Sequence, residues 1–525
     1  MPSDDKVTRE SRPASTGTPS NSTGEKRSGT RPPWGLHWRS SIWFITLAVG
    51  IGVTTDILVY SMIVPVLPFR LQDLGYTDVS GLVGWLLFAY SAAIVISTPF
   101  IAYLSERFKN RRVPLLCGLV ALIGSQIMLM EAPTYWVMAL ARVLQGISGS
   151  VIWVVGLALV CDTVPEAIVG KQLGFVMIGM SLGFLVGPPV AGALDNRFGF
   201  RGPFIFGVIV TSIEFIWRLL IIERKDAVQW DASLGSLVES RNAARGRVVA
   251  YGATTEARKS EERTSEVPTQ TVSENGAVVA EATSCVPTAL PAATDAEPQA
   301  QLSILGLLLT LIKSSRAMTP VLLTLAYGVV MTSQEPALPL YLQSAYDFGV
   351  SKVGLIYIAA VVPSFISSPL AGWYADHSGT VTSTLICLLC SLPFWILIAF
   401  KGNVAYFIAM FAFLNFFVAA LVSPITAELA AVTRSLEGVG YGHVYGAFNM
   451  AYGVGSAVGP VIGGQLYGHV PRGWMAICLF DAGLVVICTF ITVCFFGDPT
   501  ALRSILTRLR TRWRSSEQRN GMTAA

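Results

Sequence analysis

Residues 64–68 read Val64-Pro65-Val66-Leu67-Pro68, and residues 335–339 read Glu335-Pro336-Ala337-Leu338-Pro339. Pro65 to Pro336 and Pro68 to Pro339 are both steps of 271 residues. Outward from there, Ser97-Thr98-Pro99-Phe100 answers Ser368-Pro369-Leu370, a proline step of 270, and Gly187-Pro188 answers Gly459-Pro460, a step of 272. Four prolines at nearly one offset, held across a long polar insert, mark an internal duplication. Glycines agree with it: Gly179, Gly183 and Gly187 recur every four residues, as do Gly455, Gly459 and Gly463. Such a face lets helix backbones approach closely, and Pro188, Pro189 and Pro460 add kinks by each removing a helical hydrogen bond. The packing is either simply close or built to slide.

The duplicated unit is a membrane unit. The chain has 525 residues, 52% apolar and only 13% charged, against about 25% charged in soluble domains. Mean hydropathy is +0.57. Residues 1–40, 223–302 and 498–525 are polar and read as tails and a linker. The remainder leaves about 31 residues for each of twelve spans, enough for a helix of about 20 and a short loop. Apolar runs lie near 42–64, 82–104, 113–131, 134–160, 173–194, 204–222, 317–341, 353–374, 382–400, 404–427, 443–467 and 473–496. Each must be a helix, since a lone span has no strand partner in lipid. The expected fold is therefore an all-α membrane protein: twelve transmembrane helices in two parallel-repeat six-helix bundles, 41–222 and 317–497. Residues 303–316 suit an interfacial helix.

Basic residues set the orientation. The tail 1–40 has seven basic and four acidic residues, and 498–525 six and two. The second loop carries Arg107, Lys109, Arg111 and Arg112, whereas opposite loops share Arg70, Arg197, Arg201, Lys352, Lys401 and Arg472. Both tails and the linker are expected on the cytosolic side. The Asn21 sequon would then stay unmodified.

Several chemistries are excluded. The eight cysteines form no secreted framework, and Cys387-x-x-Cys390 reads as two small residues one turn apart in a span. The four histidines are scattered, so no metal site is expected. No Ser/His/Asp set or phosphate loop points to an enzyme, a cofactor or an ATP-driven pump, and Gly453-Val454-Gly455 lies inside a span with no strand before it. The net charge of +4 is too small to argue for nucleic acid.

A charge in a span costs about 2.5–3.5 kcal/mol on insertion scales, so each needs a reason. Asp56 lies past the midplane of span one, and Glu335 about 12 Å nearer the outer mouth by its residue count from the proline. Either carboxylate could bind a cationic substrate, carry a proton, or serve packing alone. Arg142 in span four is a fixed charge that tunes a proton acceptor or pairs structurally. Glu214 and Arg218, four apart on span six, share a face and neutralise each other. Asp481 has no local partner and no assigned role. Tyr60, Tyr90, Trp153, Tyr341, Tyr445, Phe448 and Asn449 are candidates to line the cavity, where aromatic faces suit cationic or amphiphilic cargo.

These residues resemble the major facilitator superfamily, and within it the twelve-span drug:proton antiporters. The segment Ala102-Tyr103-Leu104-Ser105-Glu106-Arg107-Phe108-Lys109-Asn110-Arg111-Arg112 is similar to the family's signature after span two, with Ala102, Glu106 and Lys109 departing from its usual Gly, Asp and Gly. The second copy, Gly372-Trp373-Tyr374-Ala375-Asp376, keeps Gly and Asp. Arg142-Val143-Leu144-Gln145-Gly146 matches the family's Arg-x-x-Gln-Gly, and Gly179 to Gly192 its antiporter motif. Asp56 and Glu335-Pro336 resemble the acids of vesicular amine transporters. That family's second-span Lys, eleventh-span Asp and tenth-span Asp are Tyr90, Asn449 and Ala419 here. The long tail and linker look like fungal drug-efflux members.

The resemblance implies a major facilitator fold and a secondary transporter that exports a small organic drug, toxin or metabolite in exchange for protons. An uncoupled facilitator or proton symporter on the same fold is the alternative. It implies a substrate and proton set of Asp56, Glu335, Arg142, Gln145, Tyr90, Tyr341, Asn449 and Phe448. The implied gating set is Glu106, Arg107, Arg111, Asp162, Asp376, Gly183, Gly187, Pro188, Gly459 and Pro460. A monomer working in the lipid bilayer of the plasma membrane, rather than a vacuole or vesicle, completes the expectation.

Overall fold

The structure is a computed structural model, and it describes residues 32–108, 111–164, 168–231, 315–434 and 441–497. Among them are seventeen helices and no strand. A four-residue helix, α1 (Leu36–Arg39), precedes six long ones: α2 (Ile42–Asp73), α3 (Val79–Phe108), α4 (Arg112–Met130), α5 (Tyr135–Thr163), α6 (Val169–Phe198) and α7 (Arg201–Leu220). A short α8 (Arg224–Ala227) follows. The second bundle holds α9 (Ser315–Ser333), α10 (Leu338–Tyr346), α11 (Val350–Val361), α12 (Ser364–Ser378), α13 (Thr380–Ile398), α14 (Val404–Ala420), α15 (Val422–Arg434), α16 (Tyr441–His469) and α17 (Gly473–Phe495).

Ten helices among the described residues are long and apolar enough to cross a membrane. The two other expected spans are present with a different make-up. The seventh is broken: α9 stops at Ser333, and residues 334–337 form a turn before α10. The eleventh, α16, carries eight glycines and Pro460 among its 29 residues, which dilutes its hydropathy. Spans eight and ten are also interrupted, at residues 362–363 and at 421.

The repeat is visible in packing. The glycine ladder of α6 lies on α2, where a methyl on Gly183 would sit 2.8 Å from Ile57 Cβ and 2.9 Å from Leu58 N. The ladder of α16 lies on α9 in the same way, with Gly459 against Thr332 and Val329 O. Left-handed residues recur in the matching turns, Gly75 with Asp347 and Gly199 with Arg472. The copies differ at the prolines: α2 runs unbroken through Pro65 and Pro68, while Pro336 sits in the turn that breaks span seven.

The bundles meet through α3 on α16 and α6 on α11. We call the end carrying residues 73–79 the far end, and the end carrying residues 32–41 and 221–231 the tail end. Contacts near the far end exchange duplicated residues. Gly84 packs on Pro460 O while its copy Gly354 packs on Pro188 O. Gly464 packs on Ser80 O, while Gly192 packs on Val350 and Ser351, the copy of Ser80. Ser351 Oγ donates to Gly192 O at 2.6 Å, and Gln72 pairs with Gln343 at 3.0 Å. The glycine contacts use main-chain atoms, which only glycine-lined faces can approach so closely.

The tail end is organised by Glu223, a residue on the linker side of the boundary drawn from sequence. Its Oε1 accepts from the backbone N–H groups of Arg111 and Arg112, both at 2.8 Å, satisfying the orphan donors that open α4. Residues 223–231 are thus part of the folded body, with α8 beginning at Arg224. Tail residues 1–31, most of the linker and interfacial segment (232–314), and residues 498–525 lie outside the described residues, as does the Asn21 sequon.

Candidate substrate and proton site

The site is written along one face of α5. Arg142, Gln145, Gly146, Gly149 and Trp153 follow at three- and four-residue steps, so a helix stacks them on one side. Arg142 is fully buried. Its Nη1 donates to Gln145 Oε1 at 2.7 Å, which is why the two are three apart. Gly146 is small for a steric reason: a methyl there would collide with Tyr90 O and lie 2.8 Å from Ala93 Cβ. That close approach of α3 brings Tyr90 beside Arg142. The guanidinium then lies 4.7 Å from the Tyr90 ring centre and 5.3 Å from that of Tyr60. Each such stacking contributes about 0.5–2 kcal/mol and lets a cation exist without a facing carboxylate.

Asp56 of α2 is fully buried on the other side of Tyr90. Trp153 Nε1 donates to its Oδ2 at 3.0 Å. Its Oδ1 has no hydrogen-bond partner among the described residues. A methyl on Gly149 would sit 3.1 Å from that oxygen and 3.4 Å from Tyr90 Oη, so the glycine keeps the space beside the carboxylate clear. A buried carboxylate with one free oxygen is costly to maintain as an anion unless a ligand meets it.

Glu335 enters from the other bundle. The break at 334–337 carries it toward α2, and Tyr60 Oη donates to Glu335 Oε2 at 2.6 Å. Tyr60 is one turn past Asp56, about 6 Å along the helix. Counting residues from the proline placed Glu335 about 12 Å outward. The count assumed an unbroken helix of fixed rise, and the turn removes that assumption. Asp56 and Glu335 are therefore the two ends of one buried chain, Asp56, Tyr90, Arg142, Tyr60 and Glu335, crossing the junction between bundles. The Tyr60 and Tyr90 rings lie 4.7 Å apart. Tyr357 and Tyr452 also lie within electrostatic reach of Glu335. Sequence reading missed both, because a tyrosine in an apolar run carries no mark of which way it faces.

One expected site residue falls elsewhere. Tyr341 stacks on Trp474, ring centres 4.5 Å apart, and packs with Phe407 in the core of the second bundle. Asn449 is exposed and Phe448 half-buried on α16. Of the gating set, Arg111 Nε meets Asp162 Oδ2 at 3.0 Å, and its Nη1 donates to Ser105. Arg107 donates to Tyr103 Oη at 3.3 Å, and Asp376 is exposed at the end of α12. The Glu106 side chain lies outside the described residues. Gly183 and Gly187 face α2, with Ser61 Oγ donating to Gly183 O at 3.0 Å. Gly187 is packed directly on Ser61, and Pro188 and Pro460 supply the carbonyls of the exchange contacts. Asp481, unassigned from sequence, is fully buried and accepts from Ser333 Oγ at 2.8 Å.

Two repeated helical bundles in lipid-length spans, with a polar chain buried at their junction, define a polytopic membrane transporter. The family model of the Major Facilitator Superfamily matches residues 42–250 and 320–519, and the chain belongs to that family. It is similar to the MFS-type transporter ppzB of Metarhizium rileyi, 26% identical over 490 residues, covering 89% of this chain and 98% of that one. It also matches the multidrug resistance protein MdtG of Proteus mirabilis, 29% identical over 210 residues, which is 38% of this chain and 50% of that one. Among solved structures, the nucleoside transporter NupG superposes with a TM-score of 0.60 at 10% identity, covering 86% of this chain and 98% of that one. That likeness is one of fold.

Proposed function

We propose that this transporter exports small organic molecules, cationic or amphiphilic in character, in exchange for protons by alternating access. The observation that carries the reading is the buried chain from Asp56 to Glu335. Two carboxylates on opposite bundles are joined through aromatic rings and one fixed guanidinium, so that a cation or a proton arriving at either changes the field at the other. The partial likeness to a multidrug resistance protein supports the direction. In this reading the exchange contacts near the far end are the closed outer gate, and Arg111 with Asp162 belongs to the inner one. The tails lie in the cytosol, the membrane is the plasma membrane, and the working unit is a monomer. Ala419, where the resemblance expects a tenth-span acid, favours an uncoupled facilitator as the second reading.

Proteoliposomes decide between them, with tetraphenylphosphonium as the probe. An acidic lumen drives uptake if protons leave as the probe enters, and an uncoupler abolishes it. Asp56→Asn is expected to lose gradient-driven uptake at least tenfold. Wild-type uptake that ignores the gradient overturns antiport in favour of facilitation.

A further inference from the structure

The ion pair on α7 is more than a neutralised stripe. Glu214 and Arg218 are almost fully buried, and Arg218 Nε donates to Glu214 Oε1 at 3.3 Å. The remaining polar atoms, Glu214 Oε2 and both terminal nitrogens of Arg218, have no hydrogen-bond partner among the described residues. A pair kept only for packing has its outer atoms satisfied, because a buried charge left half-solvated costs several kcal/mol. The face of α2 above the pair is cleared for it. Gly52 lies against the guanidinium, and a methyl there would sit 2.6 Å from Glu214 Oε1. Thr55 faces Glu214 from the same helix.

Two further observations give the pair a direction. Asp56, next to Thr55, lies within electrostatic reach of Glu214. On the opposite side, a cavity of about 10 Å³ is lined by Arg112, Leu115, Leu159, Arg218, Ile221 and Glu223. That is the size of a single water molecule. It touches Arg218 at one side and the Glu223 cap of α4 at the other, at the tail end. Around the pair the ionisable groups are Asp56 on α2, which faces Glu214, and Arg112 and Glu223, which share the cavity with Arg218; α6 brings none between Gln172 and Leu194.

We propose that Glu214, held by Arg218, is a second proton-binding site of this transporter, reached from the tail end inside the first bundle rather than from the junction between the bundles. A proton arriving by the cavity binds Glu214 Oε2 and makes the carboxyl neutral, while Arg218 keeps its charge. Asp56 feels the change as the loss of a nearby negative charge. Its use in transport rests on the proton-coupled reading above; the binding itself does not.

The test counts protons. The full chain in detergent is stepped between acidic and alkaline buffer and proton uptake is followed with a pH dye, with no substrate present. Glu214→Gln is expected to take up one proton fewer than wild type. Arg218→Gln is expected to keep that proton but take it up over a displaced pH range, and Ile221→Phe, which fills the cavity, to slow its arrival about tenfold. Unchanged uptake in Glu214→Gln overturns the proposal, and so does an unshifted range in Arg218→Gln should the first variant fail to fold. An unchanged rate in Ile221→Phe overturns the route. Loss of a proton in Asp56→Asn alongside no loss in Glu214→Gln removes this site and leaves antiport standing.

Discussion

At the scale of single residues, Gly149 shows how little decides the site. It contributes no side chain, yet it is the wall beside the free oxygen of Asp56. Gly149→Ala puts a methyl into that space without touching main-chain packing. The variant is expected to keep its melting temperature within a few degrees and to lose probe affinity about fivefold to thirtyfold, as for about 1–2 kcal/mol of lost contact. Titration of probe binding to purified protein checks it; unchanged affinity would place the cargo elsewhere. The charged residues themselves were legible in the sequence, since Asp56, Arg142 and Glu335 stand out in apolar runs. Their neighbours were not. Trp153 and Tyr60 were two of six candidate aromatics, and only the phase of α2 against α5 selects them. Glu223 was hidden because it begins a polar stretch and makes its bonds to the start of another helix.

At the scale of elements, the prolines of the repeat carry two different structures. Pro65 and Pro68 are absorbed into α2, and Pro336 stands in an open turn. The sequence shows the duplication plainly but not which copy breaks, because a proline removes one donor in either case and tertiary packing decides whether the helix continues. The break is what delivers Glu335 to Tyr60. Glycine at the element contacts is equally specific. Gly354→Val places branched carbons against Pro188 O and is expected to destabilise the closed far end by about 1–3 kcal/mol, an overpacking cost. A cysteine at position 72 should then label several-fold faster with a membrane-impermeant thiol reagent; an unchanged labelling rate refutes the assignment.

At the scale of the molecule, the two bundles close on each other by exchange: glycine from one copy on proline from the other, twice. Span count, repeat and bundle division followed from hydropathy and offset alone, because lipid leaves few alternatives. The pairing of Gly84 with Pro460 and of Gly354 with Pro188 did not, since it depends on how bundles face each other. If this contact must part during each cycle, locking it stops transport. Gln72→Cys with Gln343→Cys, whose side chains already meet across the far end, joined by a short cleavable thiol cross-linker, is expected to abolish probe flux and cleavage of the linker to restore it. Flux that survives complete cross-linking would mean the far end does not open.

Those closing contacts are made largely of backbone atoms, and backbone is the same whatever the side chains do. As the proposed outer gate, they are therefore chemically blind to the polar site between the bundles. Side chains around Asp56 and Glu335 can be exchanged for others, and the range of cargo can drift or be redesigned, without renegotiating how the molecule shuts. What such a protein cannot freely vary is its smallest residues.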